Sequence, residues 1–240
     1  MQVVPAAAII TIGSELVCGD VVDTNAVWLA RRLERAGMHV QLTASLPDDV
    51  ERIAAFVRNV AADADVVVVT GGLGGTPDDV TREAIAAAFE VGQEEAPEVA
   101  ERLRARFPHD PEYAVRWARL PVGSRPLENP LGGAPGFVLD NVLVLPGLPA
   151  EMERMFGTIE DELRSAEPIG SWRRRYRTTE SRIVGVLETA GEQHPRVRIG
   201  SYPTFDAQGS EVEVVLKSND PAALEAAAAW MEAALAETAG

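Results

Sequence analysis

The segment 65–72, with the sequence DVVVVTGG, constrains the fold of this chain more than any other. Four consecutive valines precede a threonine and two glycines. A continuous β-branched run bounded by glycine is typical of a central parallel strand that is buried on both faces. Such a strand needs helices above and below it, so the run predicts an α/β architecture.

The residues before this strand alternate between strand and helix patterns. Residues 6–13 predict a buried first strand, and Thr24 or Asn25 is expected to cap a helix that Gly37 ends. Residues 38–46 predict a second strand. The order predicts a right-handed βαβ series and a parallel sheet covered on both faces.

The next helix has a clear apolar face, and Asp48 or Asp49 is its expected cap. Beyond the valine strand, Asp78 or Asp79 is expected to open a helix that runs through Phe89. These acids therefore have a structural interpretation as helix caps.

The second half of the chain has fewer strong signals. An excursion helix is predicted from Glu98 to Phe107, and the proline- and glycine-rich residues 121–136 predict a loop. A strand pair follows with its tight turn at Asp140-Asn141, and then a helix with Pro149 in its first turn.

A change in composition marks a second domain. Residues 169–240 show a β-α-β-β-α order, which predicts a small α+β domain. We place the boundary near residue 168, so that residues 1–168 form the α/β domain.

Charge limits the possible partners. The chain has 37 acidic and 22 basic residues, a net charge of -15, and Lys217 is its single lysine. A surface this acidic repels nucleic acid and anionic lipid, so neither is an expected partner. The single Cys18 and the absence of a signal-peptide pattern in residues 1–10 predict a cytoplasmic protein. The acid excess favours a halophilic host; a GC-rich genome explains the arginine excess alone.

Salt should therefore stabilise the protein. We expect the melting temperature to rise between dilute buffer and about 2 M KCl, because screening relieves the repulsion among carboxylates. A thermal melt across a KCl series measures this. A midpoint that stays constant or falls would contradict the halophile interpretation.

The glycine loop, defined here as residues 71–76, carries the strongest chemical signal. It joins the valine strand to the start of a helix. At such a junction the backbone N–H groups of glycines can approach an anion closely, and the helix dipole favours negative charge. The alternative is a tight turn with a capping aspartate. No Walker motif, metal-ligand spacing of histidines or serine-hydrolase motif is present.

Acidic residues follow the other predicted strands. Because carboxyl ends of adjacent parallel strands meet at one edge of a sheet, Glu15, Asp48 and Asp79 are expected to converge there. Carboxylates beside a phosphate require a bridging divalent cation, such as Mg, Mn or Co. We therefore predict Glu15, Asp48 and Asp79 as metal ligands and Asp48, Asp78 and Asp79 as catalytic candidates.

Several motifs together resemble the CinA (competence/damage-inducible) family. Residues 13–37 are similar to its opening motif, residues 70–84 to its GGLGPTxDDxT motif, and residues 132–137 and 145–156 to two later motifs. Residues 180–187 and 199–205 resemble its second, smaller domain. One departure is Gly75, where the family commonly has proline, which makes the loop more flexible.

The resemblance implies a three-layer, parallel-sheet molybdopterin-binding (MoaB/MogA-like) fold, shared with molybdopterin adenylyltransferase, and a homo-oligomer. In that wider group, acids at the positions of Asp48 and Asp79 take part in catalysis or metal binding. The nicotinamide-mononucleotide deamidase domain of longer members has no counterpart here, so no deamidase activity is expected.

Two functions remain open from the resemblance. One is metal-dependent hydrolysis of nucleotide pyrophosphates such as ADP-ribose; the other is molybdopterin binding in molybdenum cofactor biosynthesis, without hydrolysis. Both need a small phosphorylated ligand, a nucleotide or a pterin, at one site. The expected ligand-binding residues are Gly13, Ser14, Glu15, Thr70, Gly71, Gly72, Gly74, Gly75, Thr76, Pro146 and Gly147.

Overall fold

The computed structural model describes residues 4–164, 167–206 and 209–238. Residues 1–3 lie outside these ranges. They belong to the segment 1–10, which the sequence analysis considered for a signal peptide. The chain divides into two compact units, Met1–Ser165 and Ala166–Gly240.

The first unit is built on a six-stranded sheet with the order β2-β1-β3-β8-β7-β6. Pairing is parallel across β2, β1, β3 and β8 and antiparallel at β7 and β6. A separate two-stranded sheet pairs β4 with β5. The strands are β1 (Ala6–Ile12), β2 (His39–Leu46), β3 (Val66–Thr70), β4 (Gln93–Glu95), β5 (Arg119–Pro121), β6 (Arg125–Leu127), β7 (Gly136–Leu139) and β8 (Val142–Leu145).

Helices cover both faces of this sheet. Alternate residues of β1 face opposite layers, as strand geometry requires. Ile10 packs with the α3 and α4 layer, and Ile9 packs with the α2 and α7 layer. The helices are α1 (Ser14–Cys18), α2 (Thr24–Arg35), α3 (Val50–Asp63), α4 (Thr81–Ala88), α5 (Pro97–Arg106), α6 (Pro111–Val115) and α7 (Pro149–Leu163).

The three-layer α/β fold of the sequence analysis is confirmed, with a mixed sheet in place of a wholly parallel one. The predicted hairpin is present: β7 and β8 pair around Asp140, whose φ is 54°. Because β7 runs antiparallel to both of its neighbours, β8 and β6, it is the one reversed strand of this sheet, and the other five have their carboxyl ends at one edge. That edge holds the site described below.

Two helix starts differ from the sequence-based expectation. The N-cap of α2 is Asp23, which accepts from Ala26 N at 2.9 Å, so neither Thr24 nor Asn25 caps it. The helix expected to open at Asp78 or Asp79 begins at Thr81 and ends at Ala88. For α3 the cap is Asp49, which accepts from Arg52 N.

The segment 121–136, predicted as a loop, contains a short strand. Residues Arg125–Leu127 pair with β7 as the outermost strand of the sheet. Pro126 is tolerated there because an edge strand leaves one side of its backbone without a neighbour.

The second unit has the predicted β-α-β-β-α order. Its sheet has the order β10-β11-β9 with antiparallel pairing. Val212, Val214 and Leu216 of the central strand pack against the helices. Its elements are β9 (Gly170–Tyr176), α8 (Glu180–Gln193), β10 (Arg198–Asp206), β11 (Gly209–Ser218) and α9 (Pro221–Thr238).

None of the described helices has the length and apolar character needed to cross a bilayer.

Candidate functional site

A cavity of about 460 Å³ lies where β1, β3 and β8 end. This is the edge at which ligands bind in open α/β sheets. Its walls are formed by the glycine loop, by residues 21–25 before and at the start of α2, and by residues 146–149 after β8. The lining also includes Glu15, Trp117, Gly133 and Glu151.

The carbonyl groups of the glycine loop are bound by side chains and backbone from the start of α4. Thr81 Oγ1 donates to Gly71 O at 2.8 Å, and Thr81 N donates to Gly72 O at 3.1 Å. Arg82 donates from Nη1 to Leu73 O at 2.7 Å and from Nη2 to Gly74 O at 2.8 Å. Four successive carbonyls are therefore occupied.

Asp79 binds the other side of the loop. Its Oδ1 accepts from Gly74 N at 2.9 Å, and its Oδ2 accepts from Thr76 N at 2.8 Å and from Thr76 Oγ1 at 2.6 Å. These bonds, with that from Asp79 N to Thr76 O, hold residues 76–79 in a turn. The helix consequently begins two residues after Asp79.

Two backbone N–H donors of the glycine loop remain without an acceptor. Within the part of the chain that the structure describes, the N–H groups of Gly72 and Leu73 have no hydrogen-bond acceptor, and both residues line the cavity. Gly71 and Gly72 have φ values of 109° and 62°, a backbone conformation that glycine adopts without strain. Free backbone N–H groups at a strand end are suited to binding an anion.

Arg82 is the buried cation behind the loop. Its exposed fraction is 5%, and burial lowers its pKa from the ordinary arginine value, although the nearby Glu83 and Asp79 act in the opposite sense. Its guanidinium faces the two loop carbonyls and forms no ion pair within 4.0 Å among the described residues. Burying a charge without an opposite charge beside it is costly. We therefore infer that the loop needs the two hydrogen bonds that the Arg82 guanidinium donates to its carbonyls.

Asp48 and Asp78 lie apart from the cavity lining. Asp48 Oδ2 accepts from Ser14 N and from Ser14 Oγ, both at 2.8 Å, which fixes the first turn after β1. Asp78 is exposed, and the nearby Thr76 hydroxyl lowers its pKa. Four of the predicted ligand-binding residues also lie outside the lining: Gly13, Ser14, Gly75 and Thr76. Gly75 lies against Tyr113, because a Cβ at this position would meet the tyrosine ring.

The other predicted ligand-binding residues do line the cavity. They are Glu15, Thr70, Gly71, Gly72, Gly74, Pro146 and Gly147, and Asp79 lies with them.

The cavity is acidic. Among the described residues that line it, the ionisable side chains are those of Glu15, Asp23, Asp79 and Glu151, with no lysine or arginine. Asp23 and Asp79 are committed to hydrogen bonds within the protein. Glu15 is exposed and its carboxylate forms no hydrogen bond with a described residue, so it remains available to a ligand.

The carboxylates do not form a ready metal cluster. No group of three or more His, Cys, Asp or Glu side chains suited to a metal ion occurs in residues 4–164, 167–206 and 209–238. Glu15, Asp48 and Asp79 therefore do not converge as three ligands. A metal at this site stays a prediction.

Asn25 and Glu151 are site residues that sequence reasoning missed. Asn25 Nδ2 donates to Gly147 O at 2.8 Å, while its buried Oδ1 has no partner within the described chain. Glu151 Oε2 accepts from the buried Asn129 at 2.9 Å. Both lie in motifs quoted above for the family resemblance, which was the signal available for them.

Comparison with known proteins agrees with this architecture. The family model described as "Probable molybdopterin binding domain" matches residues 8–165, and the one described as "FAD synthase, middle domain" matches residues 175–239. The boundary expected near residue 168 lies between the two matches.

Individual relatives identify the family. An Archaeoglobus fulgidus protein is 40% identical over 195 residues, which are 81% of this chain and 84% of that protein. A CinA-like protein from Geobacter sp. strain M21 is 39% identical over 92% of this chain, which spans 56% of that protein. The crystal structure of CinA from Thermoplasma acidophilum, described there as of unknown function, superposes with a TM-score of 0.63 at 32% identity, over 67% of this chain and 99% of that one.

These matches define a protein with a molybdopterin-binding-type α/β domain followed by a small α+β domain. The chain belongs to the CinA-like family, and the resemblance drawn from its motifs is confirmed.

Proposed function

We propose that the cavity binds a small phosphorylated ligand, with phosphate oxygens accepting hydrogen bonds from Gly72 and Leu73. The observation that carries this proposal is the pair of N–H groups left without acceptors while every neighbouring loop carbonyl is engaged. Arg82 adds positive charge from behind the loop, which favours an anion in front of it.

The acidic lining favours a ligand that arrives with a divalent cation. A phosphate beside Glu15 and Glu151 is repelled unless a cation lies between them. Mg²⁺ is commonly held by one or two carboxylates together with substrate phosphates and water, without a cage made wholly of protein. The donors present fit that arrangement, and Glu15 is the carboxylate that is free to take part.

For the reaction, we propose hydrolysis of a nucleotide pyrophosphate such as ADP-ribose. Water adds to one phosphorus of the P–O–P bridge and the bridging bond breaks, giving two phosphate monoesters. A bound divalent cation would supply charge neutralisation and an acidified water. The protein contributes the loop N–H groups, which hold the phosphate, and Glu15, which lies at the cavity to hold the cation or orient water.

A second candidate function is binding of molybdopterin in molybdenum cofactor biosynthesis, without hydrolysis. The observation in its favour is that Asp48 and Asp79, the expected catalytic acids, both serve as hydrogen-bond acceptors for backbone N–H groups. A binding protein needs the loop and the cavity but no free carboxylate at those two positions.

A screen that measures both binding and turnover separates the two functions. ADP-ribose, FAD, NAD and molybdopterin-AMP are offered with Mg²⁺, Mn²⁺ or Co²⁺, at low and at molar salt, to the wild type, Glu15→Gln and Glu51→Gln. Glu51 lies in the first turn of α3, outside the cavity, and is the charge-matched control. We expect Glu15→Gln to lower metal-dependent cleavage by about 10²–10³, the usual effect of one electrostatic contact.

Binding without turnover of any compound would support the molybdopterin-binding function. Equal turnover by the wild type and Glu15→Gln would remove Glu15 from the mechanism. No binding of any of the four compounds would contradict the phosphate site itself.

A further inference from the structure

A second cavity, of about 250 Å³, lies between α5 and the segment 128–135. Its lining includes Arg102 and Arg106 from the helix and Glu128, Asn129 and Gly133 from the segment. It belongs wholly to the first unit. The proposed chemistry of the main cavity makes no use of it.

The two arginines make this cavity locally basic in a chain of net charge -15. They are four residues apart on α5, so their side chains lie on one face of the helix. Glu128 is the acidic residue in the lining, and it lies 3.7 Å from Arg102. No carboxylate of the described residues lies within 4.0 Å of Arg106.

Arg106 is held in place by the opposite wall. Its Nη2 donates to Leu131 O at 3.0 Å, and its guanidinium lies against Gly132, where a Cβ would collide with it. Gly132 has a φ of 80°, so both its conformation and its missing side chain permit this approach. A guanidinium carries five N–H groups, so Arg106, held by this one bond, still has N–H donors available to a ligand.

The wall between the two cavities is a single hydrogen-bonded segment. Gly133 lines both cavities. The buried Asn129 accepts from Leu131 N at 3.0 Å and donates to Ala134 O at 3.1 Å and to Glu151 of the main cavity at 2.9 Å. Asn129 therefore lies between the second cavity, which it lines, and the Glu151 carboxylate of the main cavity.

We propose that this second cavity is an anion-binding site that takes the phosphate group of a small molecule on Arg102 and Arg106. Glu128 opposes the anion and weakens its binding. The site is separate from the glycine loop, because its donors are guanidinium groups and the loop offers backbone N–H groups.

Calorimetric titration with inorganic pyrophosphate tests the proposal. The titration is run with EDTA and about 0.1 M KCl, so that no divalent cation is present and charges within about 10 Å remain unscreened. Arg106→Gln is expected to weaken binding at least about tenfold, because it removes a charge-assisted contact. Glu128→Gln is expected to strengthen binding several-fold, since it removes the opposing charge.

Arg104→Gln is the matched control. Arg104 lies in the same last turn of α5, stabilises the helix end in the same way, pairs with Glu95 at 3.2 Å, and does not line the cavity. Binding by this variant should equal that of the wild type. Equal weakening by Arg104→Gln and Arg106→Gln, no response to Glu128→Gln, or no binding by the wild type would each overturn the proposal. Thermal melts of each variant exclude unfolding as the cause.

Discussion

Replacing Asp79 by asparagine is expected to lower the affinity for a phosphorylated ligand by at least about tenfold while most of the fold is retained. The carboxylate accepts from Gly74 N with one oxygen and from Thr76 with the other. Asparagine has one oxygen and one NH₂ group, so a donor must face a donor on one side. An unsatisfied group of this kind costs about 1–3 kcal/mol, and a loss of 1.4 kcal/mol is tenfold in affinity. Fluorescence titration with the best ligand of the screen measures the change.

Glu83→Gln is the control for this prediction, since Glu83 is an exposed acid in the first turn of α4 and lies outside the cavity. Excess divalent cation distinguishes the roles of Asp79. If Asp79 holds the loop, added metal does not restore binding to Asp79→Asn. Restoration by metal would show that Asp79 is a metal ligand.

Replacing Arg82 by methionine is expected to lower the free energy of unfolding of the first unit by about 2–4 kcal/mol. The change leaves the carbonyls of Leu73 and Gly74 without donors, and each buried unsatisfied group costs about 1–3 kcal/mol. Removal of a buried charge offsets part of this loss. Urea unfolding followed by tryptophan fluorescence measures the difference.

Arg82→Lys retains the charge and can make one of the two bonds, so its stability should lie between those of the wild type and Arg82→Met. A loss below about 0.5 kcal/mol for Arg82→Met, the range of an ordinary surface substitution, would show that the guanidinium does not support the loop.

The strands of the sheet and the order of the elements could be predicted from the sequence because they depend on local patterns. The valine run predicts β3, the turn at Asp140-Asn141 predicts the hairpin, and Pro149 marks the start of α7. Each signal lies inside the element that it specifies, so no knowledge of distant neighbours is needed.

Side-chain to backbone bonds set the limits of prediction. The sequence places an aspartate in the right position to cap a helix, but Asp79 binds the preceding loop and the helix starts later. Thr11 Oγ1 donates to Asp23 at 2.8 Å, so the cap of α2 is chosen partly by a contact with β1. Competition of this kind among nearby acceptors cannot be decided from residue type alone.

The burial of Arg82 could not be predicted from the sequence either. An arginine on a helix after a polar loop is usually solvated, and the fully covered position of this one depends on the packing of α4 against the sheet. The same is true of Asn129, whose three partners come from the loop before β7 and from α7.

The bonds that shape the glycine loop nearly all begin and end within residues 71–82, so its contacts have short separation along the chain. Local contacts close with little loss of loop entropy, and structures made of them form quickly in folding. The segment is thus nearly self-contained, with Gly71 N to Leu145 O as its hydrogen bond to a distant strand. Transplanted into another α/β protein, the segment would need, besides its own bonds, the close approach of the Ile12 and Gly147 backbone that Gly71 permits.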